Sequence, residues 1–279
     1  MSIIEVRPDP ADGLLACEAG EWAADKHDLL RQYLDISHRA RRKFVTGRGG
    51  ATYIELFAGP GRLFVRSTGA YIDGSPVVAH REATRTRTTF STMHLGDERE
   101  DFCNATSTRL KALGANPTMY VGQAEDTAKR IADALDPHGL NFAFLDPFGF
   151  EGFPFAIVEA FARFKRMDLL IHVSASALQR NLDEFMASKE CPLDHFAPGW
   201  REVVRGRRPD DVARGMILEH WTSLIRKAGF RDAEGKPLIR GPSNQALYWL
   251  VLVAKHELAT KFWDAINRSD QSSLFGKAS

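Results

Sequence analysis

The stretch that most constrains the fold is an apolar strand followed by a glycine turn, Thr52 to Arg62 (TYIELFAGPGR). Residues 52–57 are β-branched, aromatic or aliphatic except for Glu55, which is typical of a buried strand. Gly59 and Gly61 lack a Cβ, so the turn can take positive φ and approach a ligand closely. An acidic residue near the end of a strand, followed by such a turn, lies where open α/β sheets bind nucleotide-like ligands.

Strands and helices alternate through the middle of the chain. The predicted strands are 52–57, 88–95, 118–121, 141–145 and 168–173. Helices are predicted between them, but a short β-excursion over 63–72 delays the first helix to Asp73-Gly74-Ser75-Pro76, where Ser75 is a good N-cap. This spacing is typical of a mostly parallel sheet with helices on both faces. The predicted fold class is therefore α/β and doubly wound.

The two ends of the chain complete the predicted fold. Residues 1–20 contain several breakers, Pro8 and Gly13 among them, and are expected to be a flexible lead-in. The other terminal elements are an N-terminal helix at 22–43, strands at 237–240 and 246–254, and a helix at 258–266. Residues 182–230 are expected to be a mostly helical insertion or a substrate-side subdomain. This order is that of a seven-stranded Rossmann-like methyltransferase sheet, so residues 21–279 are expected to form one domain.

The charge of the chain limits the kinds of partner that it is expected to attract. The chain has 279 residues and a formal net charge of +1, so it has no global attraction to a polyanion. Two local arginine groups could contact nucleic acid, namely Arg39, Arg41 and Arg42, and then Arg201, Arg205, Arg207 and Arg208. A solvated helix end or surface is the alternative interpretation for both groups.

Cysteines and apolar runs bear on the compartment. Cys17, Cys103 and Cys191 lie far apart, with no CxxC or Cys/His cluster, which indicates neither a disulfide framework nor a metal site. His172, inside LLIHV, is expected to be a core histidine rather than a ligand. No apolar run is long enough to span a bilayer, and the N-terminus lacks a secretory pattern. We therefore expect a cytoplasmic protein that does not contact a membrane.

Three nucleotide chemistries compete for the glycine turn. A phosphate-binding P-loop needs Gly-Lys-Ser/Thr, and here Arg62 and Leu63 follow the glycines. A dinucleotide fold needs a third glycine and an immediate helix, and both are missing. An S-adenosylmethionine site needs an acidic residue before a glycine turn and a carboxylate after the second strand for the ribose hydroxyls. Glu55 occupies the first position, and Asp97 or Glu98 the second.

The predicted S-adenosylmethionine site draws residues from three strand ends. After the third strand, Gln123 and its neighbours are candidates for the adenine edge. The cofactor-binding candidates are Glu55, Phe57, Ala58, Gly59, Gly61, Ser75, Asp97, Gln123 and Ala124. Singly, Glu55 could cap a neighbouring helix and Asp97 could begin a solvated one. Their repetition at consecutive strand ends favours a site, because a doubly wound sheet binds ligands there.

The segment after the fourth strand, Asp146-Pro147-Phe148-Gly149, is the candidate acceptor site. In amino-methyltransferases this position holds an Asp/Asn-Pro-Pro-aromatic loop, which accepts hydrogen bonds from the target NH₂ and stacks on its base. Here the aromatic residue is third, so stacking needs a shifted Phe148, or else Phe150 or Phe153. The alternative is a plain strand-end turn. Asp146, Pro147 and Phe148 are the catalytic candidates.

Several segments together resemble one family. YIELFAGPGR, IDGSP with VVA, FLDPFG, and DLLIHV with a downstream QRNL are similar to motifs of the three-Cys-motif partner family, and KHDLLRQYL and LYWLVLVAKHELATKFWDAI resemble its ends. The resemblance covers residues 26–268 and implies a class I methyltransferase fold. It also implies a partner with a three-cysteine, radical-enzyme-like motif. Residues that fall on the family motifs are Glu55, Gly59, Gly61, Asp73, Gly74, Ser75, Asp146, Gly149, Arg180 and Asn181. The segment HLGDERE departs from the family's commoner acidic pair, which leaves the ribose ligand open.

These observations predict an S-adenosylmethionine-dependent methyltransferase that acts on a nucleobase or another amine. The alternative is a non-catalytic, methyltransferase-like protein that binds a three-Cys-motif protein or nucleic acid. The displaced first helix and the incomplete amine motif favour this alternative.

Overall fold

Helices and strands alternate along the chain in the computed structural model, which describes residues 5–241 and 244–275. The strands are β1 Val6–Pro8, β2 Leu15–Ala19, β3 Ala51–Glu55, β4 Arg62–Val65, β5 Ala70–Asp73, β6 Thr92–Asp97, β7 Thr118–Val121, β8 Leu140–Leu145, β9 Met167–Val173, β10 Arg231–Asp232, β11 Leu238–Arg240 and β12 Ala246–Ala254. The helices are α1 Trp22–Ile36, α2 His38–Val45, α3 Ser75–Arg85, α4 Glu100–Ala112, α5 Ala124–Ala134, α6 Ala156–Ala162, α7 Ala175–Ala187, α8 Pro192–Phe196, α9 Trp200–Val203, α10 Asp211–Lys227 and α11 Glu257–Phe275.

A large, mostly parallel sheet is built around β3. Its strand order is β10-β12-β9-β8-β3-β6-β7, and β11 also pairs with β12. Strands β9, β8, β3, β6 and β7 are parallel, and β12 is antiparallel to β9. The sheet has eight strands rather than the predicted seven, because two short strands, β10 and β11, pair with different parts of β12. Gly235 and Pro237 lie between β10 and β11, and a proline has no N–H for the ladder.

Helices cover both faces of this sheet, which confirms the doubly wound α/β class. On one face the apolar residues of α5, α6, α7 and α10 pack on β8 and β9, with Phe161 and Trp221 at most 1% exposed. On the other face α1, α3 and α11 pack on β3 and β12, with Leu30 and Trp263 fully buried. The central strand β3 is buried along its whole length, as its apolar sequence predicts.

The described part of the N-terminal segment contains the strands β1 and β2, so the expectation of a flexible lead-in over residues 1–20 does not hold for residues 5–20, while residues 1–4 lie outside the described residues. β1 pairs antiparallel with β2, and β2 pairs in parallel with β4. The predicted β-excursion is confirmed as the β4–β5 hairpin, which therefore extends into a second, four-stranded sheet. Sequence reasoning missed the short strands β1 and β2 because β1 pairs only with β2, and the other partner of β2, β4, lies more than forty residues further along the chain.

Two details of the predicted helices also need correction. The N-terminal helix is divided at Ser37 into α1 and α2. At the start of α3 the N-cap is Gly74, and Ser75 is already helical. The Ser75 hydroxyl does not cap the helix because it donates to Glu55.

Residues 182–230 hold the end of α7 together with α8, α9 and α10. Their largest apolar side chains, including Phe196, Trp200 and Trp221, belong to the same core as β8 and β9. Among the residues that the structure describes, no helix combines the length and apolar character that crossing a membrane requires.

Candidate functional site

A cavity of about 340 Å³ opens where the parallel strands β3 and β8 end. The chain runs outward from β3 to β6 and β7, and then returns to β8 on the other side of β3. This reversal leaves a crevice at the carboxyl ends of β3 and β8, which is where open α/β sheets bind ligands. The volume lies in the range of small-molecule sites. The predicted site residues that line the cavity are Phe57, Ala58, Gly59, Gly61, Ser75, Asp97, Asp146, Pro147 and Phe148.

Glu55, the last residue of β3, is fully buried beside this cavity. Tyr53 Oη donates to Glu55 Oε2 over 2.8 Å, and Ser75 Oγ donates to Glu55 Oε1. Burial raises the pKa of Glu55 to about 8, although the two hydroxyl donors oppose this shift. Ser75 lines the cavity and Glu55 does not, so Glu55 lies behind the cavity wall and acts on the cavity through Ser75.

The glycine turn leaves open space for a ligand. Gly59 has φ +55°, and a Cβ built on it would meet no atom within 4 Å, so any side chain there would enter the cavity. The Gly74 amide donates to Gly61 O over 2.9 Å, and a Cβ on Gly74 would lie 2.7 Å from the Gly61 carbonyl carbon. The turn and the start of α3 are therefore in direct contact. Thr106 Oγ1 donates to Gly59 O over 2.6 Å from the side of α4.

Asp97, at the end of β6, supports the turn and faces the cavity. Its Oδ2 accepts from the Gly59 amide over 2.9 Å, and its Oδ1 accepts from the Arg99 amide over 3.0 Å. Burial raises the pKa of Asp97 above its ordinary value, and these two amide donors oppose the shift. Each carboxylate oxygen retains a second lone pair, so Asp97 can still accept from a ligand hydroxyl.

Asp146 is part of a charged cluster that the sequence did not predict. Lys26 Nζ on α1 forms an ion pair with Asp146 Oδ2, and His172 Nδ1 on β9 lies 3.4 Å from Asp146 Oδ1. Burial favours a higher pKa for Asp146, but the Lys26 ammonium and the neighbouring His172 outweigh it and hold the pKa below its ordinary value. Asp146 is therefore an ionised and already paired carboxylate.

Two histidines line the same cavity. His172 Nδ1 donates to Pro147 O over 3.0 Å, and burial lowers the pKa of His172 to about 4, so the ring is neutral near pH 7. His172 is largely buried and hydrogen-bonded, as expected of a core histidine, and the end of β9 also brings it to the cavity wall. His27 is 2% exposed, and its Nδ1 has no hydrogen-bond partner among the described residues. Burial lowers the pKa of His27 to about 3.

The mouth of the cavity carries one unusually exposed ring. In the chain, Phe148 lies between a segment that lines the cavity and a segment that is buried, yet its side chain is 80% exposed to solvent. Phe150 and Phe153, the other aromatic candidates, are packed in the core and cannot reach the cavity mouth. Arg180 on α7 also lines the cavity and is exposed to solvent. An aromatic plane and a cation thus lie near Asp146.

Besides Glu55, two more predicted cofactor residues do not line the cavity. Gln123 is exposed at the N-terminus of α5, and Ala124 packs in the core. They follow β7, the outermost strand on that side, two positions from β3 in the sheet. Many of the lining residues that sequence reasoning missed come from the chain's N-terminal part, among them Cys17, Glu18, Ala19, Trp22, Lys26 and His27. Others follow β9 or lie on β12, namely Ser174, Ser176, Leu247 and Tyr248. Of these, Lys26 and His27 belong to the motif KHDLLRQYL.

The first predicted arginine group includes a residue that cannot contact nucleic acid. Arg41 is 3% exposed and donates to Thr88 O over 2.9 Å and to Leu34 O over 3.2 Å, so it holds α2 to the loop after α3 and to α1. In the second group, Arg201 is paired with Asp194. Burial of a cationic side chain among backbone acceptors is not visible in a local charge pattern.

No known protein family and no curated protein sequence matches the chain. Solved structures do match at low identity. A protein from Legionella pneumophila matches with a TM-score of 0.49 and 11% identity over 87% of this chain and 90% of its own. An O-methyltransferase from Bacillus cereus, in complex with S-adenosylhomocysteine (SAH), matches with a TM-score of 0.47 and 10% identity over 81% and 80%. A fibrillarin pre-rRNA processing protein from Methanococcus jannaschii matches with a TM-score of 0.41 and 10% identity over 75% and 68%. At these scores the similarity indicates neither an activity nor a substrate for this chain.

Proposed function

We propose that this protein is an S-adenosylmethionine-dependent methyltransferase that binds its cofactor in the cavity between the ends of β3 and β8. The observation that carries the proposal is the open space over Gly59, walled by Ser75 and backed by the fully buried Glu55. The strand order, with an antiparallel strand inserted next to the edge, supports it as well. The glycine turn without a lysine or a third glycine argues against a phosphate ligand.

The residues of the cavity fit the parts of this cofactor. Glu55, through Ser75, offers a negative charge for the ammonium group, and the cation restores the ionised form of a carboxyl that burial otherwise keeps protonated. Asp97 offers acceptor lone pairs for ribose hydroxyls. Gly59 leaves room that a side chain would fill. The bound cofactor would supply an electrophilic sulfonium methyl group.

The acceptor is proposed to enter beside Asp146 and Phe148. Pro147 O and the Asp146 carboxylate are hydrogen-bond acceptors for an amine, and the exposed Phe148 ring offers a surface for stacking. Hydrogen bonds to an NH₂ group would orient its lone pair, which is a contribution of position rather than of charge. We therefore favour a nitrogen on a planar ring as the acceptor.

Calorimetry tests the cofactor part of the proposal. Intact protein should bind S-adenosylmethionine and SAH, with NAD and ATP as negative controls. Gly59→Leu should abolish binding because the side chain enters the cavity. Gly69→Leu is the matched control, since Gly69 also has positive φ and open space but lies in the β4–β5 turn outside the cavity. Equal binding by both variants, or no binding by the wild type, contradicts the proposal.

A non-catalytic role is the second candidate function, and the Lys26–Asp146 ion pair favours it. An aspartate that is held by a lysine and lies near His172 has less freedom to receive an amine than an unpaired one. In this alternative the protein binds a three-Cys-motif protein or nucleic acid through the exposed arginines of the two predicted groups, among them Arg39, Arg42, Arg207 and Arg208. Asp146→Ala separates the two functions. Loss of methyl transfer with partner binding intact supports the enzyme, and no change in either supports the binding protein.

A further inference from the structure

A second cavity, of about 420 Å³, lies at the opposite edge of the large sheet. It is lined by Leu140, the first residue of β8, and by Asp168, the second residue of β9, whereas the cofactor cavity lies at the carboxyl ends of the strands. Helices α2 and α11 close its sides through Phe44 and Phe262. The residues of this cavity take no part in the proposed methyl transfer.

The wall formed by α1 and β9 is polar inside an otherwise apolar cavity. Tyr33 Oη donates to Asp168 Oδ2 over 2.8 Å, and the other carboxylate oxygen accepts no hydrogen bond from the described residues. No described cation forms an ion pair with Asp168, and burial raises the pKa of its carboxyl to about 7. A partly buried carboxyl group that accepts only one hydrogen bond is incompletely satisfied, and a ligand that donates to it would offset this cost.

The remaining walls suit a flat ring. Phe44, Phe90 and Phe142 line the cavity, and the Tyr33 and Phe142 rings already pack with their centroids 5.0 Å apart. Aromatic rings prefer offset or edge-to-face neighbours over aliphatic contacts of the same area, so these walls favour an aromatic ligand body.

The rim of the cavity carries two cations. Lys43 and Arg166 are exposed lining residues, and Lys43 has no ion-pair partner among the described residues. The Arg41 guanidinium also lines the cavity, but it already donates to the backbone carbonyls of Leu34 and Thr88. A rim of cations above an aromatic cavity favours an anionic group on the ligand's outer end.

We propose that this cavity is a second small-molecule site, which binds an aromatic ring that carries a hydroxyl or amino donor at one end and a carboxylate or phosphate at the other. The donor meets Asp168, the ring lies among Phe44, Phe90 and Phe142, and the anion meets Lys43 and Arg166. The ligand would thus extend from the Tyr33–Asp168 pair outward to the solvent.

Three probes that differ in one group each test this arrangement. 4-Hydroxyphenylacetate has the ring, the donor and the anion, whereas phenylacetate lacks the donor and 4-ethylphenol lacks the anion. We expect 4-hydroxyphenylacetate to bind about tenfold more tightly than either of the others, measured by titration calorimetry, because each lost group removes one charge-assisted contact. Equal affinities for the three probes would overturn the proposal.

Two variants locate the site. Asp168→Leu removes the acceptor and should make 4-hydroxyphenylacetate bind no better than phenylacetate. Ala40→Phe keeps Asp168 but fills the cavity from α2, and should abolish binding of all three probes. Ala112→Phe, an exposed residue at the end of α4, is the matched control and should bind like the wild type. Unchanged binding by Ala40→Phe would overturn the proposal even if Asp168→Leu fails to fold, which circular dichroism reports.

Discussion

At the residue scale, the candidate site has two carboxyl groups whose pKa values are shifted in opposite directions. Glu55 is fully buried and receives only hydroxyl donors, so burial raises its pKa to about 8. Asp146 has Lys26 as a counterion and titrates below its ordinary pKa. Two carboxyls at one cavity thus differ in charge near neutral pH, Glu55 being protonated and Asp146 ionised. Each can be tested by its own experiment.

The affinity for S-adenosylmethionine should depend on pH through Glu55. The folded protein holds a proton on Glu55 near pH 7, and the cofactor's ammonium favours the ionised form, so binding should release about one proton. Affinity should therefore rise from about pH 6 to about pH 7.5, a range in which the ammonium stays mostly charged. Calorimetry in two buffers of different ionisation enthalpy measures the released proton.

Glu55→Gln should remove most of this pH dependence while leaving the cavity's shape unchanged. Glu234→Gln, at an exposed position outside the cavity, should leave it as it is in the wild type. A pH dependence that survives in Glu55→Gln would show that Glu55 is not the group whose ionisation favours the bound ammonium.

The Lys26–Asp146 pair should contribute more to stability than exposed ion pairs do. Its side chains are only 13% and 20% exposed, so Lys26→Met leaves a carboxylate that is poorly solvated and without its counterion. We expect a loss of roughly 2 to 3 kcal/mol in the free energy of unfolding, part of which Lys26→Met with Asp146→Leu should restore. Urea denaturation of the single and double variants measures the coupling.

The exposed pair Lys129–Glu125 on α5 serves as the control, since its coupling should stay below about 1 kcal/mol. If the two pairs give similar coupling energies, then partial burial is not what sets the strength of the Lys26–Asp146 pair.

At the element scale, the strand β2 forms part of one wall of the cavity, and the segment that begins it is attached to the glycine turn. Arg109 on α4 donates to Asp12 Oδ1 over 2.8 Å, to Leu15 O over 2.6 Å and to Pro60 O over 2.6 Å. This one guanidinium therefore joins the loop before β2 to the turn that faces the ligand. The ends of β2 line the cavity through Cys17 and Glu18.

Arg109→Leu should loosen this wall. We expect faster amide hydrogen exchange over residues 5–19 and an S-adenosylmethionine affinity that is weaker by about tenfold. The reason is that the variant loses the charge-assisted hydrogen bonds of Arg109, a residue that is only 8% exposed. Exchange followed by mass spectrometry measures the first effect and calorimetry the second. Arg163→Leu, which removes an exposed pair with Asp133, is the control. Unchanged exchange over residues 5–19 would contradict the assigned role of Arg109.

At the scale of the whole molecule, buried titratable groups should give stability an unusual dependence on pH. The folded pKa values of Glu55 and Asp168 are raised to about 8 and about 7, above their unfolded values, so their stabilising contribution is lost as pH rises. The folded pKa values of His27 and His172 are lowered to about 3 and about 4. The stabilising contribution of these two histidines is therefore lost as pH falls below their unfolded pKa of 6.5. Of these four groups, only Glu55 and Asp168 change the stability as pH rises above about 6.5.

We therefore expect the free energy of unfolding to fall by roughly 2 to 3 kcal/mol between about pH 6.5 and about pH 8. Glu55→Gln, which cannot ionise, should reduce this fall by more than half. Urea titrations at several pH values measure the slope. A slope that is the same in Glu55→Gln and in the wild type would contradict the assignment of a raised pKa to Glu55.

The parts of the structure that the sequence predicts are those coded locally. The apolar strands and the turn at Gly59 can be predicted from the residues that form them. Asp97 and Asp146 both follow predicted strands, and both line the same cavity, as expected for residues at strand ends. Lys26 was missed because it meets Asp146 across 120 positions of the chain. Such a contact depends on how α1 packs over the sheet. Gln123 also follows the end of a strand, as Asp97 does, but its strand is an outer one. A position after a strand therefore does not by itself predict how close a residue lies to the cavity.

A crystal structure of the protein with SAH would show whether the cavity between β3 and β8 binds the cofactor. We expect electron density for an adenosyl ligand at the carboxyl ends of β3 and β8, with the amino-acid part over Gly59 and beside Ser75, and with the ribose beside Asp97. Density for the ligand at any other place, or a cavity without ligand when calorimetry shows binding in solution, would contradict this expectation.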